Sequence, residues 1–305
     1  MRLPTTRGAR TCAVTLALSA LTLSACGGSD EGGDSAGASL ESLKEDGTIT
    51  IAIAGEKPYS YLDDGEPTGA TVALHEEIFH KLGIDNVEAE VVEWDSLIPG
   101  LNAGHYDAVS AGMSILPERC EQAAFGDPEI MYTTSFAVPE GNPEDLHDMA
   151  DIADSDVRFA AINGAIEQGY ADDLGIDVTT VNSAEDGYAA VQDGRADVFA
   201  LTGISVRTWV EENPDAGLEA TEPFEAVVDD TVQVGAGATV FREEDSELRE
   251  AYNKELAKIV GDKAEYKRVL GPFGFSEAER PTDAVSTDML CEGDLPSVDD
   301  YEPTS

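Results

Sequence analysis

The chain has 305 residues and a formal charge of −44, with 62 acidic side chains against 18 lysines and arginines. So acidic a balance leaves no basic face from which phosphate counterions could be released, which excludes nucleic acid as a partner. The excess fits selection for solubility in salty surroundings, where screening softens self-repulsion, and it fits equally an acidic, alanine-rich proteome.

Arg2, Arg7 and Arg10 give a basic start, and 13–23 is an uncharged apolar run that ends in Ser24-Ala25-Cys26. The run is too short to span a bilayer and reads as the core of a signal peptide over 1–25. Small residues directly before Cys26 resemble a bacterial lipobox. That likeness implies cleavage before Cys26 and a lipid on it; an ordinary secretory signal with an incidental cysteine is the other reading. Residues 26–39, rich in Gly, Ser and Asp, cannot bury enough apolar surface to order themselves and are expected to form a flexible tether. The sequence therefore predicts an extracytoplasmic protein on the outer face of the cell membrane, held by lipid alone. Cys12 leaves with the signal, so Cys120 and Cys291 remain as two thiols in an oxidising compartment. A disulfide is the economical inference, two free buried thiols the alternative. Neither cysteine has metal-ligand spacing around it, and no metal or cofactor is expected.

From Leu40 onward roughly 265 residues remain, enough for two lobes with separate cores. Residues 48–54 read as a buried strand, 69–82 as a helix stopped by Gly83, 87–92 as a strand, 96–103 as a helix ending at Gly104, and 107–110 as a strand. The rhythm repeats with a strand at 157–162, a helix at 165–174, a strand at 178–181, a helix at 184–193 stopped by Gly194, and a strand at 197–201. Such βαβ alternation predicts mainly parallel sheets with helices on their faces. Extended runs at 131–139 and 231–241 flank the second set and predict a two-strand hinge. The chain would leave lobe 1 (40–138 and 232–291), build lobe 2 (139–231) and return. Helices at 246–260 and 263–270 would finish lobe 1, and 292–305 would be a loose acidic tail. Open α/β sheets bind ligands at the carboxyl ends of their strands, so the cleft between facing lobes is the expected site.

The segments "GATVALHEEIFHKLG", "EWDSLIPGLNAGHYDAVSAGMSILPERC", "VQDGRADVFAL" and "GPFGFSEAE", with the "NG" pair at 163–164, resemble family 3 extracellular solute-binding proteins of ABC importers. The resemblance runs from about Leu40 to Cys291 and is nearest the ectoine- and hydroxyectoine-binding branch, in which "PERC" and a late cysteine also occur. It implies a type II periplasmic-binding-protein-like (Venus-flytrap) α/β fold, a small zwitterionic ligand such as ectoine in the cleft, and a hinge closure that the permease subunits of an importer read.

The resemblance also assigns roles. Arg119 matches the arginine that holds the ligand carboxylate, and its planar fork suits bidentate pairing. Glu56 matches the acid that pairs with the ring nitrogens, Tyr59 and Trp94 the aromatics on the ring faces, where cation–π attraction contributes about 0.5–2 kcal/mol each. Two positions depart from the branch. Ser114 stands where a third aromatic is common, and Ile166 where Thr or Ser often bonds the carboxylate. Backbone N–H groups of Asn163, Gly164 and Ala165 at a helix start remain as candidate anion donors. Thr202 stands where amino-acid binders of the family carry an aspartate for the α-ammonium, which favours a cyclic or methylated nitrogen over an ordinary amino acid.

An enzyme is the less favoured class. There is no nucleophile elbow or phosphate loop, and carboxylates are too abundant for any pair to stand out as catalytic. His75, His80, His105 and His147 show no metal spacing and read as surface or packing residues. A sensor on the same fold is a further alternative. A monomer is expected.

Overall fold

The computed structural model describes residues 39–282 and 284–299. The expected signal peptide, Cys26, most of the tether and residues 300–305 lie outside the described residues.

The Thr48–Ile53 strand alternates Thr and Ile so that Ile49, Ile51 and Ile53 are buried. It pairs in parallel with Asn86–Val91 on one side and Ala108–Ser114 on the other. Gly235–Phe241 adds antiparallel to Ala108–Ser114, and Ala124–Phe125 and Ile130–Tyr132 pair antiparallel with it. This makes the six-stranded sheet of the first lobe. Helix Ala70–Leu82 packs Leu74, Ile78 and Phe79 beneath the sheet and stops at Gly83, whose φ of 86° suits a residue without Cβ. Helices Ser246–Val260 and Lys263–Leu270 pack against it.

The second lobe holds a five-stranded sheet. Phe159–Ile162 lies between its parallel neighbours Val178–Val181 and Val198–Thr202; Thr134–Pro139 and Leu218–Ala220 follow antiparallel. Tyr132 closes a strand of the first sheet and Thr134 opens one of the second, so the extended run expected at 131–139 is split at Thr133. The strands at the crossings run against their neighbours, which makes each sheet mixed rather than mainly parallel. The return passes through a hairpin, Val227–Val228 with Thr231–Val232, before Gly235–Phe241. Elements that the sequence does not announce include the Tyr61–Asp63/Glu66–Thr68 hairpin, helix Gly203–Glu212 and helix Thr287–Glu292.

Part of the acidic tail is tied down. Val232 N–H donates to Pro296 O and Val298 N–H to Asp230 O, both at 3.0 Å. Cys120 and Cys291 form a disulfide, Cα–Cα 5.6 Å, that joins the short Pro117–Cys120 helix to Thr287–Glu292. Among the described residues no helix is long and apolar enough to cross a membrane, and no group of His, Cys, Asp and Glu could hold a metal.

A polar chain crosses the core of the first lobe. His75 contacts Ser110 Oγ through Nδ1 and Thr239 Oγ1 through Nε2, both at 2.5 Å. Thr239 also donates to Glu129, which accepts from Tyr252 at 2.7 Å. All five are buried. Burial, only partly offset by the Thr239 and Tyr252 bonds, pushes Glu129 up to about 7, and burial pushes His75 down to about 3 against a backbone hydrogen bond at Thr71.

Two predictions follow from this packing. A raised carboxyl pKa means that the folded state binds more protons than the unfolded one, so Glu129 withdraws stability as pH rises from about 4.5 through about 7. Glu129→Gln should match the parent near pH 5 and gain about 1–3 kcal/mol over it at pH 8 in denaturant melts; equal pH profiles would show that Glu129 does not titrate here. Reduction, or Cys291→Ser, should lower stability by about 2–5 kcal/mol, whereas no response to reductant would mean free thiols.

Candidate functional site

The expected binding residues gather where the strands of the two lobes end and face one another, as open α/β sheets dictate. Glu56 and Tyr59 follow Thr48–Ile53, Trp94 opens a 3₁₀ turn after Asn86–Val91, and Ser114 ends Ala108–Ser114. Arg119 lies on Pro117–Cys120, one residue from the disulfide. From the second lobe, Asn163, Gly164 and Ala165 form the turn between Phe159–Ile162 and helix Ile166–Asp173, and Thr202 ends Val198–Thr202.

Between the lobes is a small cavity of about 30 Å³, lined by Glu56, Tyr59, Trp94, Ser114, Ala165, Ile166 and Thr202 together with Tyr132, Glu167 and others. Arg119 and Gly164 border a larger cleft of about 570 Å³ that shares Trp94, Ser114, Ala165 and Ile166 with the cavity. Asn163 lines neither; its side chain donates to Asp95 Oδ2 at 2.8 Å. A space of 30 Å³ suits a water or two, whereas a benzene-sized guest needs about 150 Å³. A ring-sized solute therefore does not fit this cavity in the arrangement described.

Side chains from opposite lobes bond directly across this seam. Tyr59 OH donates to Thr202 Oγ1 at 3.1 Å, and Ser205 Oγ donates to Glu56 Oε1 at 2.6 Å. Trp94 Nε1 (3.1 Å) and Arg119 Nη2 (2.8 Å) both donate to the carbonyl of Gly164, which a φ of 75° turns toward the first lobe. Lys57 and Glu212 form an ion pair at 2.7 Å at the rim. Arg119 Nη1 also donates to Ser114 O at 3.0 Å, and its guanidinium sits 5.6 Å from the Trp94 ring centroid. Burial lowers the arginine pKa from its ordinary value.

The backbone donors expected for an anion are already engaged. Asn163 N–H bonds Val181 O, Gly164 N–H bonds Gln168 Oε1, and Ala165 N–H bonds Ile162 O. With no N-capping side chain at Ala165, the turn closes on itself and on Gln168.

The structure brings in residues that the sequence did not single out. Tyr132 lines the cavity, and its hydroxyl donates to Ser114 Oγ. The ring missing at position 114 is thus matched by a ring from the hinge strand, which Ser114 holds. Tyr132 lies edge-on to Tyr59, centroids 6.5 Å apart and planes at 84°. Gly112 makes room for this packing, since a Cβ there would meet Tyr59 Cδ1 at 2.7 Å on a backbone with φ of 57°. Glu167, in the first turn of helix Ile166–Asp173, is 1% exposed, and its Oε1 has no hydrogen-bond partner among the described atoms. Burial pushes Glu167 up to about 8 against a hydrogen bond from its own backbone N–H, with the nearby Glu56 charge adding to the rise and Arg119 opposing it. Burial likewise pushes Glu56 up to about 7 against the Ser205 bond. One acid in 62 carries no sequence signal of its own beyond its position at a helix start behind the "NG" turn.

Comparison with known proteins bears on this arrangement. The probable amino-acid ABC transporter periplasmic-binding protein y4tE of Sinorhizobium fredii is 34% identical over 243 residues, 77% of this chain and 80% of that protein. The ABC transporter arginine-binding protein 1 of Escherichia coli is 35% identical over 173 residues, 55% of this chain and 67% of that protein. The crystal structure of EhuB in complex with hydroxyectoine superposes with a TM-score of 0.74 at 35% identity, covering 83% of this chain and 97% of that one. Residues 49–270 match the model of the bacterial extracellular solute-binding proteins, family 3. The chain belongs to that family.

Proposed function

We propose that this protein is the receptor of an ABC importer, anchored outside the membrane by lipid at Cys26, and that it captures ectoine or hydroxyectoine by closing its lobes. The observation that carries this reading is the composition of the seam. Aromatic rings of Tyr59, Trp94 and Tyr132 surround two buried carboxylates, Glu56 and Glu167, with the buried guanidinium of Arg119 beside them. A ring carrying a delocalised amidinium and a carboxylate answers each feature. Aromatic faces take the cation, the carboxylates accept its N–H groups, and Arg119 holds the acid.

In this mechanism the solute first meets the open first lobe, which supplies Glu56, Tyr59, Trp94, Tyr132 and Arg119. Closure brings Glu167 and Thr202, and the bridged state is the one stabilised by differential contact. The interlobe bonds Tyr59–Thr202 and Ser205–Glu56 are the ones that a bound solute would replace or reshape. The likeness to the EhuB–hydroxyectoine complex supports the choice of ligand. An amino acid with a cationic side chain is the second reading, favoured by the pair of carboxylates and by the arginine-binding relative. Against it stands Thr202, which offers a hydroxyl where an α-ammonium would need a charge.

Calorimetric titration with ectoine, hydroxyectoine, glycine betaine, proline, glutamine and arginine separates the readings. Tight binding confined to ectoine and hydroxyectoine is expected, and Arg119→Ala should weaken it by at least about 2 kcal/mol, roughly 30-fold. Heat with arginine and none with ectoine would replace the first reading by the second, heat with glutamine alone would contradict both, and an unchanged affinity in Arg119→Ala would remove that residue from the site.

A further inference from the structure

The seam holds an imbalance that the capture of a zwitterion does not by itself explain. Two carboxylates, from opposite lobes, share one buried cavity. The one guanidinium near them is committed to the carbonyls of Ser114 and Gly164. Glu56 accepts a single hydroxyl bond from Ser205, and Glu167 Oε1 accepts none from the described atoms. The other ionisable groups facing them are Tyr59, Tyr132, Tyr170 and Tyr188, all raised by burial and so neutral at ordinary pH. Lys57, next to Glu56 in sequence, is spent on Glu212 at the rim. Closing the lobes therefore brings two carboxyl groups into one buried space where neither has an ion pair among the described residues and Arg119 offsets the charge of Glu167 only in part, which is unfavourable for two ionised groups unless something neutralises them.

We propose that Glu56 and Glu167 make lobe closure conditional on positive charge: protons in the absence of solute, and in its presence an amidinium or guanidinium whose N–H groups take up the same two carboxylates. The inference rests on the solute-binding reading above and narrows its ligand class. A cation whose charge is spread over several N–H groups can satisfy two acceptors at once, whereas a quaternary ammonium has no hydrogen to give. Protons and solute then compete for one pair of oxygens, and the closed form without solute is an acid form. The sign follows from linkage. In the arrangement described, burial raises both carboxyl pKa values, to about 7 and about 8; an opening that returns the two groups to water lowers them again, so the closed state binds more protons than the open one and loses ground as pH rises. At neutral to alkaline pH the protein rests open until a suitable cation arrives.

Small-angle X-ray scattering of the purified protein from pH 6 to pH 9 tests this directly. Without solute, the radius of gyration should be that of the closed form at pH 6 and larger at pH 9, with the closed-to-open ratio falling about ten-fold or more. The double variant Glu56→Gln, Glu167→Gln, checked for folding by circular dichroism, should scatter alike across the range. Ectoine should close the parent at pH 9, and glycine betaine should not. A solute-free profile unchanged between pH 6 and pH 9 in a protein that ectoine does close would overturn the inference and leave the functional reading intact. A pH-dependent profile in a protein that neither ectoine nor arginine closes would do the reverse.

Discussion

A buried guanidinium held by backbone carbonyls rather than by a salt bridge sets the terms for the rest of this molecule. Arg119 is 8% exposed and, among the described residues, is bonded to backbone carbonyls rather than ion-paired. Isolated charges are tolerated in protein interiors only when hydrogen bonds or nearby opposite charge compensate them. Here compensation is assembled from both lobes: Ser114 O from the first, Gly164 O from the second, with Trp94 facing the guanidinium. The same residue therefore joins the lobes and leaves further N–H groups for an anion. The disulfide one residue away, and the helix it joins, fix the segment that carries it.

Around that cation the site is built from strand ends, and this placement follows from topology rather than from local sequence. Two mixed sheets joined through Thr133 and the 220–235 return point their strand termini at one another. The hinge is also part of the site. Tyr132 is the last residue of a first-lobe strand, one step before the chain crosses, and its ring reaches Ser114 and Tyr59. A rotation about the crossing would move this wall together with the cavity it bounds.

The sequence made some of this legible and hid the rest for physical reasons. Apolar alternation in Thr48–Ile53 and helical spacing in Ala70–Leu82 announced themselves because each buries one face. Glu56, Tyr59 and Trp94 could be placed because they follow strands, and Ser114 could be noticed as a missing ring. The replacement ring at Tyr132 could not, since an extended run of Thr, Phe and Val gives no sign of where it changes sheets. Glu167 was concealed by abundance, and helix Gly203–Glu212, which brings Ser205 to Glu56, begins directly at a strand end without a capping side chain. The "NG" turn was read as a set of free donors, but their partners, Val181 O, Gln168 Oε1 and Ile162 O, appear only once the lobe is folded.

A crystal structure of the protein grown with ectoine would test the central claim most directly. The account predicts lobes closed around the ring, with its faces against Tyr59 and Trp94, its N–H groups on Glu56 and Glu167, and its carboxylate on Arg119. Density for the solute elsewhere, or a closed seam that keeps the Tyr59–Thr202 and Ser205–Glu56 bonds with no solute between them at saturating ectoine, would contradict it.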